Sequence, residues 1–295
     1  MTQLVQLQHA LPQLQAAGFE VFAISNDTVE RLADFANQHS ITFNLLSDED
    51  SAVIRAFGIM NTLIRPDEGK HMRWYGIPYP GTYVADGSGT IIDKDFHQHH
   101  AQRLSGSALV HRVLGTAPAQ GSAMPQAASE DDEVSLSLAL FDPTLRLEVI
   151  TALSCRLHIK NERHVYAAGA PDAFTPITLE FGGEGLRFGT QVWPQAQMLG
   201  MPELNLEVPV YEGALDVTVS VSATSDIIRL GHGLERASAT IEVSCTYQSC
   251  DAHACGLPTV IRSTLEVPLE ELVEPPGTKA YAARVEGGND ASKPQ

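Results

Sequence analysis

Two different periods divide this chain. Over residues 1–115, helical spacing alternates with short strand-like apolar runs. Leu4, Leu7, Leu11 and Leu14 share one helical face, with Gly18 closing the helix. "EVFAIS" (20–25) and "TFNLLS" (42–47) are apolar runs of strand type. "NDTVERLADFANQH" opens on capping residues and sets Val29, Leu32 and Phe35 on one side. "DEDSAVIRAFG" is a second capped helix ending at Gly58. "GTYVAD" and "GTIIDKDF" flank the turn Asp86-Gly87-Ser88-Gly89 and predict a β-hairpin, followed by a helix from Ser105 to Leu114. Such alternation predicts an α/β sheet with helices on its faces.

Beyond residue 133 the period becomes two. "VSLSLALF", "LRLEVITAL", "ITLEF", "LNLEVPVY", "LDVTVSVSA", "ASATIEVSCTY" and "STLEVPLEEL" alternate apolar with polar positions, with almost no helix signal between them. About seven short strands separated by Gly, Pro and Asn turns predict an antiparallel β-sandwich. Between the halves lies "GTAPAQGSAMPQAASEDDE", rich in Pro, Gly, Ala and Ser, which predicts a linker. The expected organisation is therefore an α/β domain over 1–115, a linker over 116–133, a β-sandwich over 134–275 and a polar, disordered tail over 276–295.

Composition narrows the function classes. The chain has 295 residues, enough for two domains of ordinary size, and a net charge of −17. That charge argues against nucleic acid and anionic membrane surfaces as partners. It is uneven: residues 1–115 carry a net −4 and residues 134–275 a net −10, which supports two units. No stretch approaches the roughly 18 apolar residues of a membrane helix. "MTQLVQLQHALPQL" has neither the basic start nor the continuous apolar run of a signal peptide, so the chain as it stands predicts a cytoplasmic location.

The first half resembles a known family. "GFEVFAISNDTVERLADFANQHSITFNLLSDEDSAVIRAFGI" followed by "GIPYPGTYVADGSGTIIDKDF" is similar to the AhpC/TSA peroxiredoxins, above all the bacterioferritin-comigratory type. The resemblance implies a thioredoxin-like fold. It places Pro80 at the cis-proline position of such folds; many peroxiredoxins have arginine there, which leans this chain toward the thiol-disulfide reductase branch. In the family the reactive cysteine stands on the first turn of a helix, where the helix N-terminus and cations stabilise its thiolate. Here Met1 falls inside that same helix, and residues 1–115 contain no cysteine. Peroxide reduction needs a thiolate nucleophile, so this half cannot run the family's reaction. The resemblance further implies that a central strand, between those of 20–25 and 82–86, is missing. Both would then expose unpaired backbone and apolar faces. The expectation is a truncated chain or a late start; the rival is a degenerate, non-catalytic domain.

Smaller signals lie nearby. His97, His99 and His100 in "FHQHH" are read as a solvated run rather than a metal site, and Trp74 and Tyr75 as packing residues.

Three of the four cysteines crowd into "CTYQSCDAHACGLP": Cys245, Cys250 and Cys255. A redox pair, a structural disulfide or free thiols, and a metal site with His253 as a fourth ligand are the alternatives. Strand alternation turns Cys245 inward with Val243 and Tyr247, which disfavours metal. A disulfide between Cys250 and Cys255 would close a loop of about six residues and add only about 2 kcal/mol, against almost 5 for one closing nearly 100. That is a poor staple and a sensible switch. Cys155 and Cys245 lie in apolar strands and read as buried hydrophobes, with a long-range bridge between them left open. His253 either stabilises a thiolate or is a surface loop residue, and Tyr247 either shields the pair or belongs to the core.

This half, too, has a look-alike. "RLHIKNERH", "FTPITLEF", "VYEGALDVTVSV" and "TYQSCDAHACGLP" resemble the N-terminal periplasmic domain of the thiol:disulfide interchange protein DsbD. The resemblance implies an immunoglobulin-like sandwich over roughly 134–273, Cys250 and Cys255 as its redox pair, and Pro258 as the trailing proline. It also implies a thioredoxin-like protein partner and a periplasmic location. The spacing, C-x4-C, is one residue tighter than in the best-known member. Together the two resemblances imply a thiol-disulfide redox protein with an antioxidant or disulfide-reducing role, a hydroperoxide as substrate of the intact protein, and no organic cofactor or metal. The alternative is a non-catalytic β-sandwich binding module with an inert disulfide beside a relic thioredoxin-like domain.

Overall fold

The structure, a computed structural model, describes residues 2–65, 75–98, 102–116, 124–201, 206–229, 233–234, 237–251 and 253–270. The expected positions Trp74, His99 and His100, the tail over 276–295 and part of the linker lie outside these residues.

In the first half, helix α1 (Thr2–Ala16) buries Leu7, Leu11 and Leu14, the face that helical spacing requires. Strand β1 (Phe22–Ser25) pairs in parallel with β2 (Asn44–Ser47) around helix α2 (Val29–His39). The Thr28 hydroxyl caps α2 by accepting from the Arg31 N–H at 3.4 Å. Val29 is exposed rather than packed, because it is Phe35 and Ala36 of this helix that reach the core. Helix α3 (Ala52–Ala56) is held at its start by Asp48, whose carboxylate accepts from the Val53 and Ile54 N–H groups at 3.1 and 2.8 Å. Strands β3 (Gly81–Ala85) and β4 (Ile91–Phe96) form the expected hairpin, its turn closed on the Asp86 side chain.

Among the described residues β1 pairs only with β2, and β3 only with β4. Phe22, Ile24, Leu46, Ile91 and Ile92 are correspondingly exposed. Three local expectations are corrected. The Tyr79–Pro80 bond is trans. That isomer is intrinsically favoured by about 0.5–1 kcal/mol, and it suits the bonds on either side, Tyr79 N–H to the Ile59 carbonyl and His97 N–H to the Pro80 carbonyl. Tyr75 is 41% exposed rather than packed. His97 is not a free solvated ring: its Nε2 lies 2.7 Å from Asp95 Oδ2.

Strand β5 (Arg103–Leu104) leads to helix α4 (Gly106–Leu114), capped by the Ser105 hydroxyl and ended by Gly115 at φ +66°, a conformation that suits glycine. Arg112 of α4 reaches both Asp93 and Asp95 of β4. The Asp93 carboxyl, bonded to Arg112, is held below the usual carboxylate range.

The second half begins earlier than the linker pattern predicts. Residues 126–130 are strand β6 (Gln126–Glu130), paired antiparallel with β7 (Val134–Leu140), because Ala127 packs against the core once its neighbours are in place. There follow β8 (Leu145–Arg146), β9 (Val149–Ile159), β10 (His164–Tyr166), β11 (Thr178–Gly182), β12 (Leu186–Val192), β13 (Gln197–Met201), β14 (Leu206–Glu212) and β15 (Ala214–Ala223). A short pair, β16 (Ile228–Arg229) and β17 (Gly233–Leu234), precedes β18 (Ser238–Tyr247), β19 (Ser249–Cys250) and β20 (Thr259–Glu270).

One sheet runs β12-β15-β9-β7-β6 and another β11-β18-β20-β8. Their alternate residues meet in one core: Leu136 and Leu138, Cys155 and Leu157, Val217 and Val219 from the first, and Ile241, Val243, Cys245 and Val267 from the second. Fully burying each such Val, Leu or Ile side chain contributes about 1.5–3 kcal/mol. This is the sandwich the period-two pattern predicts. Strand β9 is buried on its other face as well: α1, α4, Phe141 and Ala152 share a second core, and β5 pairs in parallel with the start of β9. A third sheet, β13-β14-β10-β19, carries the candidate site. The chain passes from it to the first sheet at Gly213, whose φ of +63° makes the tight turn between β14 and β15.

Candidate functional site

Cys250 ends the two-residue strand β19, and the chain turns back at once. The Asp251 N–H donates to the Ala254 carbonyl at 2.9 Å and the Gly256 N–H to the Ser249 carbonyl at 2.8 Å. Asp251 Oδ1 accepts from the His253 and Ala254 N–H groups at 2.8 and 2.9 Å, an Asx turn that fixes the tip. Those two donors hold the Asp251 carboxyl below its ordinary range, with Arg163 adding to the effect. Across the hairpin Cys250 and Cys255 face each other, Cα atoms 4.1 Å apart and sulfurs bonded.

The two sulfurs stand in different surroundings. Cys250 is 1% exposed, packed with Tyr166, Val208 and Val210, and with Phe174 lying over them. Cys255 is exposed. The Tyr166 hydroxyl lies 3.4 Å from Cys255 Sγ, and its ring packs on Phe174 with centroids 4.3 Å apart. Burial pushes the Tyr166 hydroxyl upward, so it stays protonated and able to donate. Gln248 ties two segments together. Its Oε1 accepts from the Thr175 N–H at 2.9 Å, and its Nε2 donates to the Gly256 carbonyl at 3.0 Å. The Phe174 segment is thereby strapped to the disulfide hairpin. Beyond it Leu257 is 86% exposed, beside an exposed Pro258.

The remaining candidates fall elsewhere. Cys155 and Cys245 sit in the sandwich core as free thiols, and burial pushes both up to about 12. Tyr247 belongs to that core, where its hydroxyl donates to Asp131 Oδ2 at 2.5 Å. Burial raises Tyr247 further from ionisation. It also opposes ionisation of Asp131, but the Tyr247 hydroxyl and the Val134 and Glu133 N–H groups outweigh it and lower Asp131. His253 is exposed, and its backbone serves the turn. Pro80 lies on the β3 hairpin of the first half. Among the described residues no three His, Cys, Asp or Glu side chains gather as a metal ion would require.

Sequence reasoning missed Tyr166, His164, Phe174 and the role of Gln248. A strand of three residues, "HVY", is too short to show a period. Its one legible signal is that His164 and Tyr166, two apart, must share a face.

Residues 1–94 match the model of the AhpC/TSA family. Peroxiredoxin Bcp of Escherichia coli K12 is 42% identical over 53 residues, which cover 18% of this chain and 34% of that protein. A protein of Haemophilus influenzae described as a putative peroxiredoxin bcp is 32% identical over 105 residues, covering 33% of this chain and 64% of that one. The chain thus spans about a third of the length of the first relative and under two thirds of the second. Among solved structures, the N-terminal periplasmic domain of ScsB from Proteus mirabilis aligns with a TM-score of 0.32 at 7% identity, over 53% of this chain and 54% of that one. The reduced N-terminal domain of DsbD from Neisseria meningitidis aligns with a TM-score of 0.25 at 12% identity, over 54% of this chain and 98% of that one. The α/β half, residues 1–94, is therefore similar to AhpC/TSA peroxiredoxins.

Proposed function

We propose that the chain is a thiol-disulfide exchange protein whose working pair is Cys250 and Cys255, and that its sandwich is of the immunoglobulin-like type. The observation that carries this reading is the asymmetry of the bridge: Cys255 is an exposed residue, while Cys250 is buried among Tyr166, Val208 and Val210 with Phe174 packed against them. A disulfide that only stapled the fold would gain little here, since its partners are five residues apart. Attack by a dithiol partner falls on Cys255 Sγ, the sulfur of the exposed residue, and Cys250 leaves. The partner's second thiol then resolves the mixed disulfide. Two electrons pass from the partner to the pair, which can return them to another disulfide. Leu257 and Pro258 form an exposed apolar shoulder against which a thioredoxin-like partner would rest.

The α/β half takes no chemical step in this scheme. It resembles a peroxide-reducing family, but residues 1–115 contain no cysteine, so no hydroperoxide turnover is expected from it.

The test is equilibration of the purified chain against graded dithiothreitol or glutathione buffers, with thiols counted by mass spectrometry. A Cys250–Cys255 bridge that titrates between about −120 and −270 mV, as exchange proteins do, supports the reading. One that stays closed below about −300 mV overturns it and leaves a binding module. The double variant Cys250→Ser, Cys255→Ser is expected to keep a cooperative fold while losing all exchange with a reduced dithiol protein.

A further inference from the structure

Reduction of the bridge creates a problem that the oxidised fold does not show. When Cys255 is attacked, Cys250 leaves as a thiolate inside a cluster of Tyr166, Val208 and Val210. An unpaired charge there is costly. The antiparallel register of β10 with β19 sets His164 directly opposite Cys250, and opposite residues of such a pair project on the same side. On its other flank, the register of β10 with β14 sets Glu212 opposite His164. The imidazole is 8% exposed, stands edge-on to Tyr166 with centroids 5.4 Å apart, and its Nε2 makes no hydrogen bond. Buried polar atoms are ordinarily satisfied, so one left open on the residue paired with Cys250 calls for a reason.

We propose that His164 is a positioning residue for Cys250, its imidazole stabilising the thiolate that leaves when a partner's thiolate attacks Cys255. This rests on the exchange reading above. In the step, the bond between the partner's sulfur and Cys255 Sγ forms and the Cys255–Cys250 bond breaks, the electron pair going to Cys250 Sγ. The imidazolium N–H then bonds to that sulfur or gives it a proton. The partner's second thiol displaces Cys255, so the dithiol loses two electrons and becomes a disulfide. The Tyr166 hydroxyl stands at the Cys255 sulfur, and the strand register sets His164 opposite Cys250.

The groups around the imidazole fix the sense of its pH dependence. Burial holds His164 below its ordinary value, while the carboxylates of Glu212 and Asp251 pull it back upward. Arg163 offsets part of the second effect by lying 3.9 Å from Asp251. The Tyr166 hydroxyl stays neutral throughout the range. The imidazolium fraction, and with it the help given to Cys250, grows as pH falls below neutrality.

The experiment is stopped-flow reduction of the full chain by dithiothreitol from about pH 8 to about pH 5, with each rate constant divided by the reagent's thiolate fraction. The wild-type constant is expected to climb toward acid. His164→Leu should be flat and about tenfold slower at the acidic end, the scale of one charge-assisted hydrogen bond. His164→Gln keeps an N–H donor without a titration, so it should recover part of the rate and remain flat. If His164→Leu does not fold, the Gln profile decides: flat supports the assignment, and an acid climb like wild type overturns it. A Leu variant whose profile superimposes on wild type also overturns it, while leaving the exchange reading intact. A wild-type bridge that dithiothreitol does not reduce brings down both.

Discussion

Cys245 and Cys255 are ten positions apart and chemically unlike. The first points into the sandwich beside Val243 and Tyr247, and the second is an exposed residue across a hairpin from Cys250. Because burial pushes Cys155 and Cys245 up to about 12, neither carries thiolate at neutral pH. Alkylation of the native, reduced chain with iodoacetamide is expected to label Cys255 first and Cys250 more slowly, leaving Cys155 and Cys245 untouched until denaturant is added. Rapid native labelling of either core thiol would break this account. The inward turn of Cys245 was legible from alternation along β18. The role of Tyr166 was not, because its contact with Cys255 joins residues 89 apart in sequence.

At the scale of elements, the site depends on a strap rather than on a long strand. Strands β10 and β19 have three and two residues, so the pairing of His164 with Cys250 is held by the packing around it. Gln248 supplies part of that hold by bonding Thr175 on one side and Gly256 on the other. Gln248→Ala should loosen the Phe174 segment and raise the rate of bridge reduction by dithiothreitol about two- to tenfold, at a cost of about 1–2 kcal/mol in urea unfolding. A slower reduction would mean that the strap organises attack instead of screening the bridge. The long elements were readable: the strands of 134–140, 214–223 and 238–247 follow their period-two runs, and α4 begins on its Ser105 cap. The short ones escaped because two or three residues carry no period.

For the whole molecule, charge decides the pH response. Asp93 beside Arg112 and Asp131 beneath Tyr247 are both held below their ordinary values in the fold. A depressed carboxyl adds stability that is present above its unfolded value and lost as pH falls through the folded one. Urea midpoints are therefore expected to hold from neutrality down to about pH 5 and to fall steadily below that. Asp131→Asn should flatten part of the decline. An unchanged acid limb in that variant would show that Asp131 is not among the groups responsible.

The sequence by itself determined the change of period near residue 133, the helices and long strands on either side, the absence of cysteine from residues 1–115 and the crowding of three cysteines near residue 250. These are consequences of local pattern, since a face is buried or exposed according to the spacing of its own residues. Tertiary structure alone decided that β5, α1 and α4 would share a core with the start of β9, that 126–130 would be a strand, and that Pro80 would sit on a trans bond. It also brought the Tyr166 hydroxyl to the Cys255 sulfur and set His164 opposite Cys250 across a strand pair. Such contacts join segments tens of residues apart, and their energies exist only once the sheets have packed.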